Sequence, residues 1–112
     1  MRIVIDLQAA QAGSRFRGIG RHALSLVHAM ARCAEDHEII LLLNGLLPDS
    51  IMPIRRAFAP YGARVSCVVF DVPDPTDPAW ADRAAWHACA ARVREHALLS
   101  LQPDAVLITS LF

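Results

Sequence analysis

The sequence predicts an α/β domain built on an open parallel sheet. Three observations carry this. Four short apolar runs of strand length alternate with three amphipathic or helix-capped stretches, which is the βαβ rhythm of crossover connections. The second run, Glu38 to Leu43 (E-I-I-L-L-L), is apolar without alternation, as a strand covered on both faces must be. The 112 residues suffice for one core and leave little room for a second domain, so residues 1 to 112 are read as a single unit.

Taken in order, Arg2 to Leu7 is a β-branched run and reads as the first buried strand. Gln8 to Arg17 follows as a loop of about ten residues, longer than the usual two to six of such connections, and long loops tend to carry function. Ala23, Leu24, Val27, Met30, Ala31 and Ala34 recur at helical spacing, which predicts a helix with one face on the sheet. After the second strand comes the turn pair Asn44-Gly45, then a short helix capped by Asp49 or Ser50 and ending near Ala59, with Pro53 close to its first turn. Arg64 to Phe70 is the third strand. D-V-P-D-P-T-D-P is too rich in proline and aspartate for a regular element. Asp77-Pro78 is a cap-and-proline signal that opens a helix to about Leu101, facing Trp86, Cys89, Ala90, Val93, Ala97 and Leu101 inward, about 36 Å long and overhanging the sheet. Ala105 to Ile108 is the fourth strand.

The right-handed crossover rule then gives a half Rossmann-like sheet in the order 3-2-1-4 with helices on both faces. Ligands of such sheets bind beyond the carboxyl ends of the strands. Gln8, Asn44-Gly45, Asp71 and Thr109-Ser110 follow the four strands, so Gln8, Asn44 and Ser110 are expected to line a cleft there. The stretch S-R-F-R-G-I-G-R-H-A from Ser14 to Ala23 lies at that edge. Gly18 and Gly20 let a ligand approach the main chain and tolerate positive φ, while Arg15, Arg17 and Arg21 form planar forks for phosphate or sugar oxygens. A helix starting at Gly18 to Gly20 would add unpaired N–H groups and a positive dipole end.

Composition narrows the function. The formal net charge is zero, which gives no general attraction for nucleic acid or anionic lipid, so anion recognition has to be local. All eleven basic residues are arginine, which excludes a Schiff-base or phosphate-loop lysine. Cys33, Cys67 and Cys89 are odd in number and widely spaced, and the five histidines share no i, i+3 or i, i+4 spacing, so neither a disulfide framework nor a metal site is indicated. The N-terminus is too short in apolar residues for a signal peptide and no run reaches the roughly 20 residues of a membrane span, so the expected location is the cytoplasm. Trp80 and Trp86, six apart on the predicted helix, read as core or partner packing. Gly18-x-Gly20-x-x-Ala23 formally fits the dinucleotide fingerprint, but about ten residues separate it from its strand and Asn44 stands where an acidic residue should end the second strand.

M-R-I-V-I-D-L-Q-A-A-Q at the start, R-F-R-G-I-G-R-H, L-N-G after the second strand, F-D-V-P after the third and P-D-A-V-L-I-T-S-L-F at the end resemble the N-terminal domain of retaining GT-B glycosyltransferases, closest to bacterial family 4 enzymes that include mannosyltransferases of O-antigen and other polysaccharides. The resemblance covers the whole chain. It implies a truncated half of a two-domain fold, with Arg17, Gly18, Gly20 and Arg21 near the diphosphate of a nucleotide-sugar donor and a glycan or lipid-linked acceptor on this side of the cleft. It implies neither a metal nor a cofactor, and it allows the complete enzyme a peripheral place at the inner membrane face. The chain ends before the later histidine-bearing strand and the donor-binding C-terminal domain of that family, so no catalytic residue is assigned and the piece alone is expected to be inactive. An open edge on the fourth strand is expected to promote self-association. Two other readings stand beside this one: a non-catalytic flavodoxin-like or receiver-like module that binds a partner, for which Asp6 and Asp71 are a faint acidic set without the expected late lysine, and a dinucleotide-binding half-domain.

Overall fold

The structure, a computed structural model, describes residues 1–13, 16–33 and 36–109. Its strands are β1 (Arg2–Asp6), β2 (Glu38–Asn44), β3 (Val65–Phe70) and β4 (Ala105–Ile108), and its helices α1 (Gly18–Cys33), α2 (Pro48–Phe58) and α3 (Arg83–Ser100). The four strands form one parallel sheet in the order β3-β2-β1-β4, as the sequence predicts. Register is set by pairs such as Val4 with Ile40 and with Val106, and Leu42 with Val68.

Strand alternation divides the core between two faces. Ile3, Ile5, Leu7, Ile39, Leu41, Leu43 and Val65 point to one side, where Ala23, Val27 and Ala31 of α1 and Ile54 and Phe58 of α2 cover them. The alanines let α1 lie close to the sheet. Val4, Ile40, Leu42 and Phe70 point to the other side, against Val93, Ala97, Leu98 and Leu101 of α3 and its end. This double cover is why the second strand shows no polar alternation. Protection fades toward β4, where Val106 and Ile108 are 44% and 46% exposed. β3 and β4 are the sheet's two edges.

Two helix starts differ from expectation. The last helix begins at Arg83, not Asp77, because Asp77 Oδ1 accepts the Ala79 N–H at 2.9 Å in a local turn, whereas Asp82 Oδ1 accepts the Ala85 N–H at 2.6 Å and is the true cap. Its 18 residues span about 27 Å. Trp80 therefore lies outside the helix, in the connection from β3. There Asp74 repeats the turn chemistry, accepting from the Thr76 hydroxyl and N–H, and these bonds hold its carboxyl below the usual carboxylate range. The second helix starts at Pro48, whose missing N–H costs nothing there. Neither Asp49 nor Ser50 caps it; the Ser50 hydroxyl donates back to the Leu47 carbonyl at 2.6 Å. Pro53 lies inside the helix, so the Asp49 carbonyl loses its usual partner.

A contact between α1 and the end of α2 ties the helical layer together. His28 stacks on Phe58 with ring centroids 4.2 Å apart, and its Nδ1 lies 2.8 Å from the Tyr61 hydroxyl. Burial, followed by the Arg32 charge, lowers the His28 pKa from its ordinary 6.5.

Two measurements test this layering. In urea titrations Leu42→Ala, fully buried between layers, should cost about 2–5 kcal/mol, while Val106→Ala at the edge should stay within about 1 kcal/mol. Because the folded chain holds His28 neutral, the unfolded chain takes up that proton first as the pH falls. Stability should therefore decline below about pH 6.5, and His28→Phe should flatten part of that decline.

Candidate functional site

The carboxyl rim of the sheet is built around the connection from β1 to α1. At the end of β1, Asp6 is only 2% exposed, and its Oδ1 accepts the Gln8 N–H at 3.1 Å. That bond opens the 3-10 turn Gln8–Ala10, which buries Ala9 and Ala10. The other carboxylate oxygen, Oδ2, lies 2.6 Å from Arg94 Nε of α3, an ion pair by distance whose N–H is not aligned for a hydrogen bond. The Asp6 carbonyl accepts from the Thr109 hydroxyl at 2.6 Å, which joins the ends of β1 and β4.

Gln11 then fastens this loop to the next one. Its side chain is 3% exposed, and its Oε1 accepts the Asn44 N–H at 2.7 Å while its Nε2 donates to the Asn44 carbonyl at 3.0 Å and to Ser50 Oγ at 3.1 Å. A buried amide satisfied at both ends fixes the β1–α1 and β2–α2 connections relative to each other. Asn44 is half-buried and spends its own Oδ1 on the Leu46 N–H at 2.9 Å, holding the turn. A Cβ on the next residue, Gly45, would collide with the Asp71 carboxylate, so that glycine serves packing.

The helix itself starts at Gly18, with the Arg21 N–H donating to the Arg17 carbonyl at 2.9 Å as its first turn closes. The N–H groups of Gly18, Ile19 and Gly20 precede that bond and have no partner within the helix. Arg17, Gly18, Ile19 and Arg21 are exposed, whereas Gly20 is buried against the interior. A Cβ at Gly18 would meet nothing within 4 Å, and among the described residues Gly62 is the glycine with positive φ. Neither packing nor backbone strain therefore requires a glycine at 18. Arg17 and Arg21 form no ion pair; among the described residues the pairs are Arg2–Glu38 and Arg94–Asp6. A groove of about 280 Å³ runs from Arg21 and Phe16 between α1 and α2, floored by Ala10, Leu24, Ile54 and Ala57, with Asp49 and Ser50 at its side.

The expected site residues thus fall into groups. Arg17, Gly18 and Arg21 share the exposed start of α1, Gly20 lies beneath them, and on the same rim Asn44 ends β2 and Gln8 follows β1. Ser110 and Arg15 lie outside the described residues. Sequence reasoning missed Gln11, whose only signal was a second glutamine in L-Q-A-A-Q, and the Asp6–Arg94 pair, whose partners are distant in the chain. Among the described residues no group of three or more His, Cys, Asp or Glu is placed to hold a metal ion, and no helix is long and apolar enough to cross a membrane.

Comparison with known proteins adds a relative. Across its whole length the chain is 29% identical, over 113 aligned residues, to the serotype-specific mannosyltransferase WbdA of Escherichia coli. It spans 14% of that enzyme's length. The chain is therefore related to a mannosyltransferase over a small part of it. No family model matches the chain, and no solved structure matches it.

The Gln11 bridge makes a specific prediction. Gln11→Leu would leave the part-buried Asn44 N–H without its partner and take one bond each from the Asn44 carbonyl and the Ser50 hydroxyl, which keep their bonds to Leu47, and should cost about 1–3 kcal/mol in chemical denaturation, with the largest rise in amide exchange at residues 44 to 50.

Proposed function

We propose that this chain is the N-terminal, acceptor-side part of a bacterial family 4 glycosyltransferase of GT-B type, acting in polysaccharide synthesis and transferring a sugar, mannose in the first instance, from a nucleotide-sugar to a glycan or lipid-linked acceptor. One observation carries the reading: a chain related to a mannosyltransferase presents two exposed arginines, without an ion pair among the described residues, and an open glycine, Arg17, Arg21 and Gly18, at the first turn of α1 on the carboxyl rim of a parallel sheet. In that role the free N–H groups of Gly18, Ile19 and Gly20 and the two guanidinium groups stabilise the negative charge that grows on the nucleoside diphosphate as the glycosidic bond to it breaks. Gly18 contributes by leaving no side chain between the diphosphate and the backbone, and Gly20 by letting the first turn settle on the core. Gln8, Asn44 and Ser110 border the cleft. The donor's base and sugar are held by a second domain, so the chain by itself transfers no sugar.

Amide resonances give the direct test. Added GDP should shift the signals of Gly18 to Arg21 with weak, saturable affinity, and the Arg17→Ala, Arg21→Ala double variant should weaken that response by about tenfold. Shifts located elsewhere, or NAD binding more tightly than GDP at the same amides, would overturn the assignment. The open β4 edge gives a second test, since its exposed Val106 and Ile108 should support self-association that sedimentation detects and that Val106→Lys abolishes.

A further inference from the structure

The connection from β3 to α3 forms a second pocket on the molecule, of about 170 Å³, lined by Pro75, Asp77, Trp80, Asp82, Arg83 and Trp86. This is room for roughly five or six waters, the scale of a single six-membered sugar ring. The two tryptophans, which sequence spacing alone assigns to core or partner packing, stand at one cavity because the helix begins only at Arg83.

The chemistry of its walls is mixed in a particular way. The Trp86 indole N–H donates to the Pro73 carbonyl at 2.8 Å, which fixes the ring; the His87 ring packs against it in a T-shaped contact with centroids 5.1 Å apart, and the remaining ring surface joins Trp80 in lining the pocket. Asp77 and Asp82 each commit Oδ1 to a backbone N–H, of Ala79 and Ala85, and so each keeps Oδ2 for another donor. Arg83 forms no ion pair among the described residues and supplies planar donors. Phosphate would be repelled by the two carboxylates; a quaternary ammonium ion would be drawn to them and to the indoles but would leave the Arg83 guanidinium without an acceptor. An apolar segment would desolvate all three charges without repayment. A neutral polyhydroxy ring satisfies every wall: its hydroxyls donate to the carboxylates and accept from the guanidinium, and its C–H face lies on the electron-rich face of an indole.

We propose that this pocket binds one pyranose unit of a glycan, and that in the glycosyltransferase reading given above the unit belongs to the acceptor. Only the word acceptor rests on that reading; the sugar site stands on its own residues. Its place fits, because the connection leaves the carboxyl end of β3, on the rim where α1 begins.

The test uses the chain as it stands, with mannobiose as the probe. Titration should give a saturable change in tryptophan fluorescence and shift the indole N–H resonances of Trp80 and Trp86. Trp80→Ala and Asp77→Asn should each weaken binding about tenfold or more, and Asp82→Asn should do the same while retaining the helix cap, since asparagine caps as well as aspartate. Unchanged circular dichroism identifies the variants that remain folded. No saturable response to mannobiose, a response unaltered by all three variants, or displacement of the sugar by tetramethylammonium would overturn the proposal. A parallel titration with GDP separates the two ideas. Shifts at Gly18 to Arg21 without a mannobiose response sink the sugar pocket alone, and the reverse pattern leaves the pocket standing and removes its assignment to an acceptor.

Discussion

Burial of β1 and β2 on both faces is the constraint from which the remaining architecture follows. A strand covered on two sides cannot carry polar residues along its length, so polar groups on these strands collect at the ends. Asp6, Asn44 and the loops beyond them gather on one rim because all four strands run parallel. The sheet order places α1 and α2 on one face and α3 on the other, and the chain reverses direction between β1 and β4 at that rim.

The rim is held by few but well-placed polar contacts. Gln11 joins two connections through three hydrogen bonds, and Asp6 joins β1, the first loop and α3. Both side chains are buried, so each contact counts for more than it would in water, and each would leave partners stranded if cut. The arginines divide accordingly. Arg2 and Arg94 are paired with carboxylates and serve the fold, while Arg17 and Arg21 form no ion pair among the described residues and are exposed.

Much of this was legible in the sequence because apolar runs and crossover handedness depend on local pattern. The run Glu38 to Leu43 announced a doubly covered strand, and Ala23, Leu24, Val27, Met30 and Ala31 announced the buried face of α1. The start of α3 was misread because Asp77-Pro78 and Asp82 carry the same capping chemistry, and only the path of the chain decides which aspartate caps and which closes a turn. That error hid the shared cavity of Trp80 and Trp86. Gln11 was invisible for another reason: its partners Asn44 and Ser50 lie more than thirty residues away, and no local pattern reports a long-range amide bridge. The exposed start of α1 was foreseen as a place. The split between an outward Gly18 and an inward Gly20 follows from helical phase, which a two-residue spacing carries but a loop reading ignores.

Gly18 and Gly45 stand in two different physical settings. Gly45 is favoured by its neighbours, since a Cβ there would push the Asp71 carboxylate aside and crowd the Phe70 carbonyl and the Val69 side chain. Gly18 faces empty space, and alanine there would stiffen the unfolded chain and raise stability by several tenths of a kcal/mol. A lineage that keeps glycine at such a position forgoes free stability, so mutational tolerance at residue 18 becomes a gauge of selection for chemistry rather than for architecture.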